Sequence, residues 1–171
     1  MYSGNDAATA IAEYVGGSEE AFVNMMNRRA QELMANGTHF MNPHGLHDDN
    51  HYTTAYDLYL IFNECIKHED FVNIIQSEAY TAYYTDVDGN SQEALFTPTN
   101  LYAQGEVDVP ENVTIVGGKT GTTDEAGYCL ILMEKDSNDN PYISIVMGAS
   151  EKPVLYEDMT SLIEAIPSGQ Q

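Results

Sequence analysis

Apolar positions recur at helical spacing through the first half of the chain and at strand spacing through the second. Asn5 and Asp6 suit N-cap positions for an Ala-rich segment running to about Val15, where Gly16-Gly17 stops it. Ser18 suits the cap of a second helix, with Glu19 and Glu20 placed where the macrodipole favours them. Phe22, Met26, Arg29/Ala30 and Leu33 continue at helical spacing, and Asn36-Gly37 predicts a left-handed stop. Residues 38–52 show no period, and Pro43 and Gly45 mark a loop. Thr54 followed by Asp57 predicts a capping box opening a helix through Leu58, Ile61, Phe62 and Cys65, with a short helix after it at 71–76.

The period then changes. Segments 80–87 and 93–97 flank Asp88-Gly89-Asn90, the pattern of a β-hairpin. Segments 113–120, 127–134 and 142–149 read as three strands, the last two joined by the polar run Asp136-Ser137-Asn138-Asp139-Asn140-Pro141. Segment 154–166 reads as a closing helix. The class is α+β, a helical part beside an antiparallel sheet. One domain over 1–171 is expected: a mostly helical part at 1–78, a hairpin and connection at 79–112, and sheet strands with the closing helix at 113–171.

Charge narrows the partners. Six basic against 27 acidic residues give a net charge of −21, which repels phosphate backbones and anionic lipid. No apolar run approaches the ~18 residues of a membrane span. The opening Met1-Tyr2-Ser3-Gly4 has neither the basic nor the apolar region of a signal peptide. Cys65 and Cys129 each sit in an apolar run and are expected as core thiols rather than a disulfide. Met25-Met26 and the tyrosines of 80–84 are expected as core and strand-face residues. His44, His47 and His51 with Asp48 and Asp49 are loosely spaced for a metal, and Asp86–Asn90 carries its glycine too early for a calcium loop. No metal and no cofactor are expected.

Two short patterns carry chemistry. Ser3-Gly4-Asn5 stands just before a helix, and Lys119-Thr120-Gly121 ends an apolar strand behind Gly117-Gly118. Each alone is a frequent chance match, and Ser3 would also suit a helix start. Together with a Ser-x-x-Lys, such motifs mark β-lactamases and penicillin-binding proteins. Longer stretches agree: Phe22-Val23-Asn24-Met25-Met26-Asn27, Phe40-Met41-Asn42-Pro43-His44-Gly45-Leu46, and Gly118-Lys119-Thr120-Gly121-Thr122-Thr123-Asp124-Glu125-Ala126-Gly127-Tyr128-Cys129. In order, from Ser3 to about Ile166, the chain resembles the low-molecular-mass serine D-alanyl-D-alanine carboxypeptidases.

The resemblance implies a β-lactamase/transpeptidase-like fold and acyl transfer at the terminal D-alanine of peptidoglycan stem peptides, with β-lactams as ligands of the complete enzyme. Ser3, Asn5 and Lys119 are the implied catalytic residues. Ser3 would relay a proton to the leaving amine, Asn5 would hold the substrate amide, and Lys119 would bring positive charge. Thr120, Gly121 and Thr122 are the implied substrate-binding residues. Thr120 would bond the C-terminal carboxylate, Gly121 would let the peptide lie along the strand, and the Thr122 N–H would form half of an oxyanion hole.

The residues before the four lysines at the required spacing are Glu64, Val116, Leu132 and Ala149, so the 171 residues hold no Ser-x-x-Lys. The expectation is a domain lacking the family's N-terminal helix, first two strands and nucleophile helix, inactive in acylation by itself. Its last strand would then have an open edge, which drives self-association or element swapping. The segment 150–158 carries Lys152 where relatives often carry an arginine. The complete protein is expected outside the cytoplasm, in the cell envelope or secreted, acting on the cell wall and cell shape. The alternative is a non-catalytic peptidoglycan-binding or interaction module of the same fold.

Overall fold

A computed structural model describes residues 1–168. Its helical half holds α1 (Asn5–Gly16), α2 (Glu19–Glu32), α3 (Ala55–Cys65) and α4 (Glu69–Ile75). A hairpin of β1 (Tyr80–Thr85) and β2 (Ser91–Phe96) follows, then the short α5 (Leu101–Gln104). The sheet is β3 (Val113–Thr123), β4 (Gly127–Asp136) and β5 (Pro141–Ala149), and α6 (Lys152–Glu164) closes the chain.

Local chemistry explains most boundaries. Ser18 Oγ accepts from the Ala21 N–H at 3.1 Å and Thr54 Oγ1 from the Asp57 N–H at 3.0 Å, so both expected caps form. The box at Thr54 is one-sided, because the Asp57 carboxylate takes the Thr38 hydroxyl at 2.8 Å instead and so ties the loop to α3. The cap of α1 differs from the expectation. Gly4 is the N-cap and Asn5 the first helical residue, and Asp6 Oδ1 reaches only the adjacent Ala7 N–H. The stop of α2 also differs: the left-handed residue is Met34, φ 62°, with Asn36-Gly37 beyond it. Burial of Ala35 at 1% exposure explains the reversal, since that methyl is drawn inward while the Ala35 N–H bonds Ala30 O at 2.9 Å. Gly37 serves packing instead, because a Cβ there would stand 3.0 Å from Thr54 Cγ2.

In the hairpin, Tyr80 pairs with Phe96 and Thr85 with Ser91. Asp86 Oδ1 accepts from the Asp88 and Asn90 N–H groups, which closes the turn. Helix α5 has no sequence expectation; it is a single turn capped by Asn100, too short to show a period.

The larger sheet is antiparallel in the order β3-β4-β5, leaving β3 and β5 as edges among the described residues. Its faces follow the pleat of β4. Leu130 and Leu132 pack against Tyr102 of α5 and Leu155, Tyr156, Met159 and Ile163 of α6. Met133 and the half-buried Ile131 turn to the other face, against Phe62 of α3, Ile75 of α4 and Met1. Each fully buried aliphatic side chain contributes roughly 1.5–3 kcal/mol. Two core expectations are corrected. Cys65 and Cys129 are free, as expected, but only half-buried and outside both core clusters. Met25 is 43% exposed and lines a cavity between α2, Phe40 and Ile61 of α3 instead of filling the core. Among the described residues no helix is long and apolar enough to cross a membrane.

Candidate functional site

The site is built at the C-terminal end of β3. Gly117 and Gly118 are buried there and could be nothing larger. A Cβ at Gly117 would lie 2.1 Å from Ile75 O, and one at Gly118 would lie 2.0 Å from Ile131 O. The end of α4 therefore presses directly on the β3 backbone, beside the register shift between Ile115 and Gly117. Beyond this pinned point Lys119 faces Ile131, Thr120 faces Leu130, Gly121 faces Cys129 and Thr122 faces Tyr128. The other side of β3 has no strand neighbour among the described residues. A Cβ at Gly121 would meet nothing within 4 Å, so the face of the strand is open there.

Opposite this edge runs the N-terminal segment. Met1 packs into the cluster of Phe62, Ile75 and Met133, and the Tyr2 ring sits edge-on to Phe96 with centroids 5.2 Å apart. Ser3 is thereby carried to Lys119, whose Nζ donates to Ser3 Oγ and to the Thr120 carbonyl. Burial pushes the Lys119 ammonium below its usual pKa.

Of the residues singled out from the sequence, Ser3, Lys119 and Thr120 come together in one bonded cluster. Gly121 and Thr122 follow directly and are exposed. Asn5 stands one step away, exposed at the start of α1, with no side-chain hydrogen bond to the cluster among the described residues.

The loop of 38–52 borders the same end of the sheet. His39 and Tyr52 form a backbone bridge across it. Asn42 shapes the inner turn, its Oδ1 accepting from Gly45 N at 2.7 Å and its Nδ2 donating to Leu46 O at 2.9 Å. Asn27 anchors the loop to α2 by a two-way bond with the Phe40 backbone, both at 2.8 Å. His47 Nδ1 lies 3.9 Å from Glu125 Oε2, so the loop meets the β3–β4 turn. His51 accepts from the Met41 N–H, and burial lowers its pKa despite the opposing pull of Asp48. Loop, turn and the ends of β4 and β5 enclose a cavity of about 450 Å³ lined by Leu46, Thr123, Cys129 and Met147.

One partner of the cluster has no signal in the sequence. Thr99 Oγ1 is hydrogen-bonded to Thr120 Oγ1 from 21 positions upstream. It belongs to no motif, and only the folding of 97–100 against β3 reveals it.

Comparisons with known proteins identify the family and the fold. A family profile described as D-alanyl-D-alanine carboxypeptidase matches residues 1–151. The chain is 35% identical over 162 residues to D-alanyl-D-alanine carboxypeptidase DacF of Bacillus subtilis, covering 95% of this chain and 39% of that one. It is 34% identical over 148 residues to DacA of Haemophilus influenzae, covering 86% of this chain and 34% of that one. The fold superposes on the crystal structure of the Streptomyces K15 DD-transpeptidase with a TM-score of 0.82 at 26% identity, covering 93% of this chain and 61% of that one. The chain thus spans well under half of these curated relatives, and its helices and antiparallel sheet are those of a DD-peptidase. By profile, sequence and fold, the chain belongs to the D-alanyl-D-alanine carboxypeptidase family.

Proposed function

We propose that this chain forms the substrate-holding wall of a serine D-alanyl-D-alanine carboxypeptidase, binding peptidoglycan stem peptides that end in D-alanyl-D-alanine. The observation that carries the reading is the hydrogen bond from Lys119 to Ser3 at the head of an open strand edge. An extended peptide adds to such an edge through backbone hydrogen bonds. Its C-terminal carboxylate meets Lys119 and the Thr120 hydroxyl, while the flat face at Gly121 admits its backbone and the Thr122 N–H faces the scissile carbonyl.

In the chemistry of this site Ser3 and Lys119 act as a proton relay. The lowered pKa of Lys119 eases passage of a proton through Ser3 Oγ to the departing amine. Asn5, the first residue of α1, is assigned to hold the substrate amide through its carbonyl and NH₂. The attacking serine requires a Ser-x-x-Lys, which the 171 residues do not contain. The chain by itself therefore binds and does not acylate, and β-lactams react only where that segment is supplied. The substrate puts the complete protein on the outer side of the membrane, in cell-wall remodelling and maintenance of cell shape.

Self-association involves the opposite edge of the sheet. Strand β5 is a sheet edge, and α1 presents Ile11, Tyr14 and Val15 at 60%, 91% and 54% exposure. An unpaired edge and bare apolar positions each favour pairing or swapping between copies. Size-exclusion chromatography with light scattering checks this; a stable, well-folded monomer at high concentration counts against it.

Titration of the chain with an acylated D-alanyl-D-alanine peptide, followed by amide NMR, tests the main reading. Shifts confined to 119–123 and 3–5 are expected, with no covalent labelling by a fluorescent penicillin. Absence of those shifts would remove the binding assignment. Covalent labelling would place a nucleophile within these residues.

A further inference from the structure

We propose that Thr99 is a positioning residue that fixes the hydroxyl of Thr120 for the substrate carboxylate, an inference that rests on the reading of 119–122 as the carboxylate-binding strand end. The two hydroxyls are hydrogen-bonded to one another. Each carries one proton, and only one of the two can lie between the oxygens. When Thr99 donates, the Thr120 proton is left free to point along the open edge of β3. When an anion arrives there, it selects that arrangement, because a hydroxyl already accepting a hydrogen bond is a stronger donor. Without Thr99, Thr120 is free to turn its proton elsewhere.

Thr99 is well placed to hold a neighbour still. Pro98 before it is buried and fixes its own φ, and Pro98 O accepts from Gln104 Nε2 at 2.7 Å. Asn100 after it is 3% exposed and caps α5 through the Tyr102 N–H at 3.1 Å. Helix α5 is in turn locked to α6, since the Leu101 N–H donates to Tyr156 Oη at 2.9 Å and Tyr102 Oη bonds Thr160 Oγ1 at 2.7 Å. A continuous packed path thus runs from the closing helix through α5 to Thr99 and onto Thr120. Lys119 reaches the same residue from the other side, through the Thr120 carbonyl.

The test measures binding of an acylated D-alanyl-D-alanine peptide to the full 171-residue chain, beside the same peptide as its C-terminal amide. Thr99→Val, Thr99→Ser and Thr120→Val are compared with the unmodified chain, and thermal unfolding confirms that each is folded. Thr99→Val is expected to weaken the acid about five- to tenfold, the scale of one neutral hydrogen bond, and to leave the amide unchanged. Thr99→Ser restores acid binding, and Thr99→Val adds nothing to Thr120→Val in the double variant. Equal loss of acid and amide affinity in Thr99→Val makes Thr99 merely structural and overturns the proposal, as does an unchanged acid-to-amide ratio while Thr120→Val loses it. Should Thr99→Val not fold, Thr99→Ala is read in the same way. A parent chain with no preference for the acid, or a Thr120→Val that keeps it, would bring down the strand-end reading itself, and Thr99 with it.

Discussion

Lys119 Nζ donates to Ser3 Oγ across 116 positions of the chain, joining the tip of a strand to the residue ahead of the first helix. The bond depends on two anchors outside either motif. Met1 and Tyr2 are held by the core and by Phe96, and the base of β3 is pinned where α4 touches Gly117. Lys119→Met keeps the stem in place and removes the charge. It is expected to weaken binding of a D-alanyl-D-alanine peptide at least ~10-fold, the scale of a charge-assisted hydrogen bond. Titration calorimetry checks the loss, and unchanged affinity would separate Lys119 from the site.

Two glycines of the strand end should separate cleanly. Gly118→Ala drives a methyl against the Ile131 carbonyl, which is backbone and cannot step aside. A loss of roughly 3 kcal/mol or more is expected, in the range of severe overpacking. Gly121→Ala meets open space and should unfold at the same denaturant midpoint as the parent, while weakening peptide binding by raising a methyl on the strand face beside the bound peptide. Urea unfolding of the two variants decides the first half and titration the second.

Glu134 should make the fold pH-sensitive. It is 0% exposed on the α6 face of β4, and neither carboxylate oxygen has a hydrogen-bond partner among the described residues. Burial is the largest influence and raises its pKa from 4.5 to about 7, the neighbouring Ser144 opposing only in part. The folded state thus holds this proton more tightly than the unfolded state. Its contribution is intact below pH 4.5 and is lost as pH rises through 7, by about 3 kcal/mol for this group alone. Glu134→Gln should flatten the fall in stability between pH 5 and pH 8, as measured by denaturant unfolding at each pH. Parallel curves for parent and variant would show that Glu134 does not titrate in that window.

The helix caps differ in what they can lose. Thr54→Ala should cost about 1 kcal/mol, because Thr54 Oγ1 serves the Asp57 N–H. Asn5→Ala should change stability little, since Asn5 lies inside α1 and caps nothing. Equal losses in the two melting curves would contradict the assignment of Gly4 as the N-cap.

Much of this was legible in the residues. Ser18 and Thr54 signalled their helices, because capping is a contact across three positions and needs no partner from elsewhere. Asp86 through Asn90 closed a hairpin for the same reason, and the three sheet strands were recognisable from their apolar runs. The order and spelling of Ser3-Gly4-Asn5 and Lys119-Thr120-Gly121 point to one family from the residues alone. By contrast, Met34 rather than Gly37 takes the left-handed turn because Ala35 is drawn into the core, and no local preference reports that burial.

What the amino-acid order determined by itself was the set of elements and the chemical character of their ends, since capping, turn formation and alternation act over a few bonds. Only the tertiary structure decided which ends meet. The approach of Ser3 to Lys119, the Thr99 hydroxyl on Thr120 and the unpartnered carboxylate of Glu134 are all set by packing between distant segments. Such contacts arise when α4, α5 and α6 close on the sheet and exclude water, and they leave no period or motif in the chain.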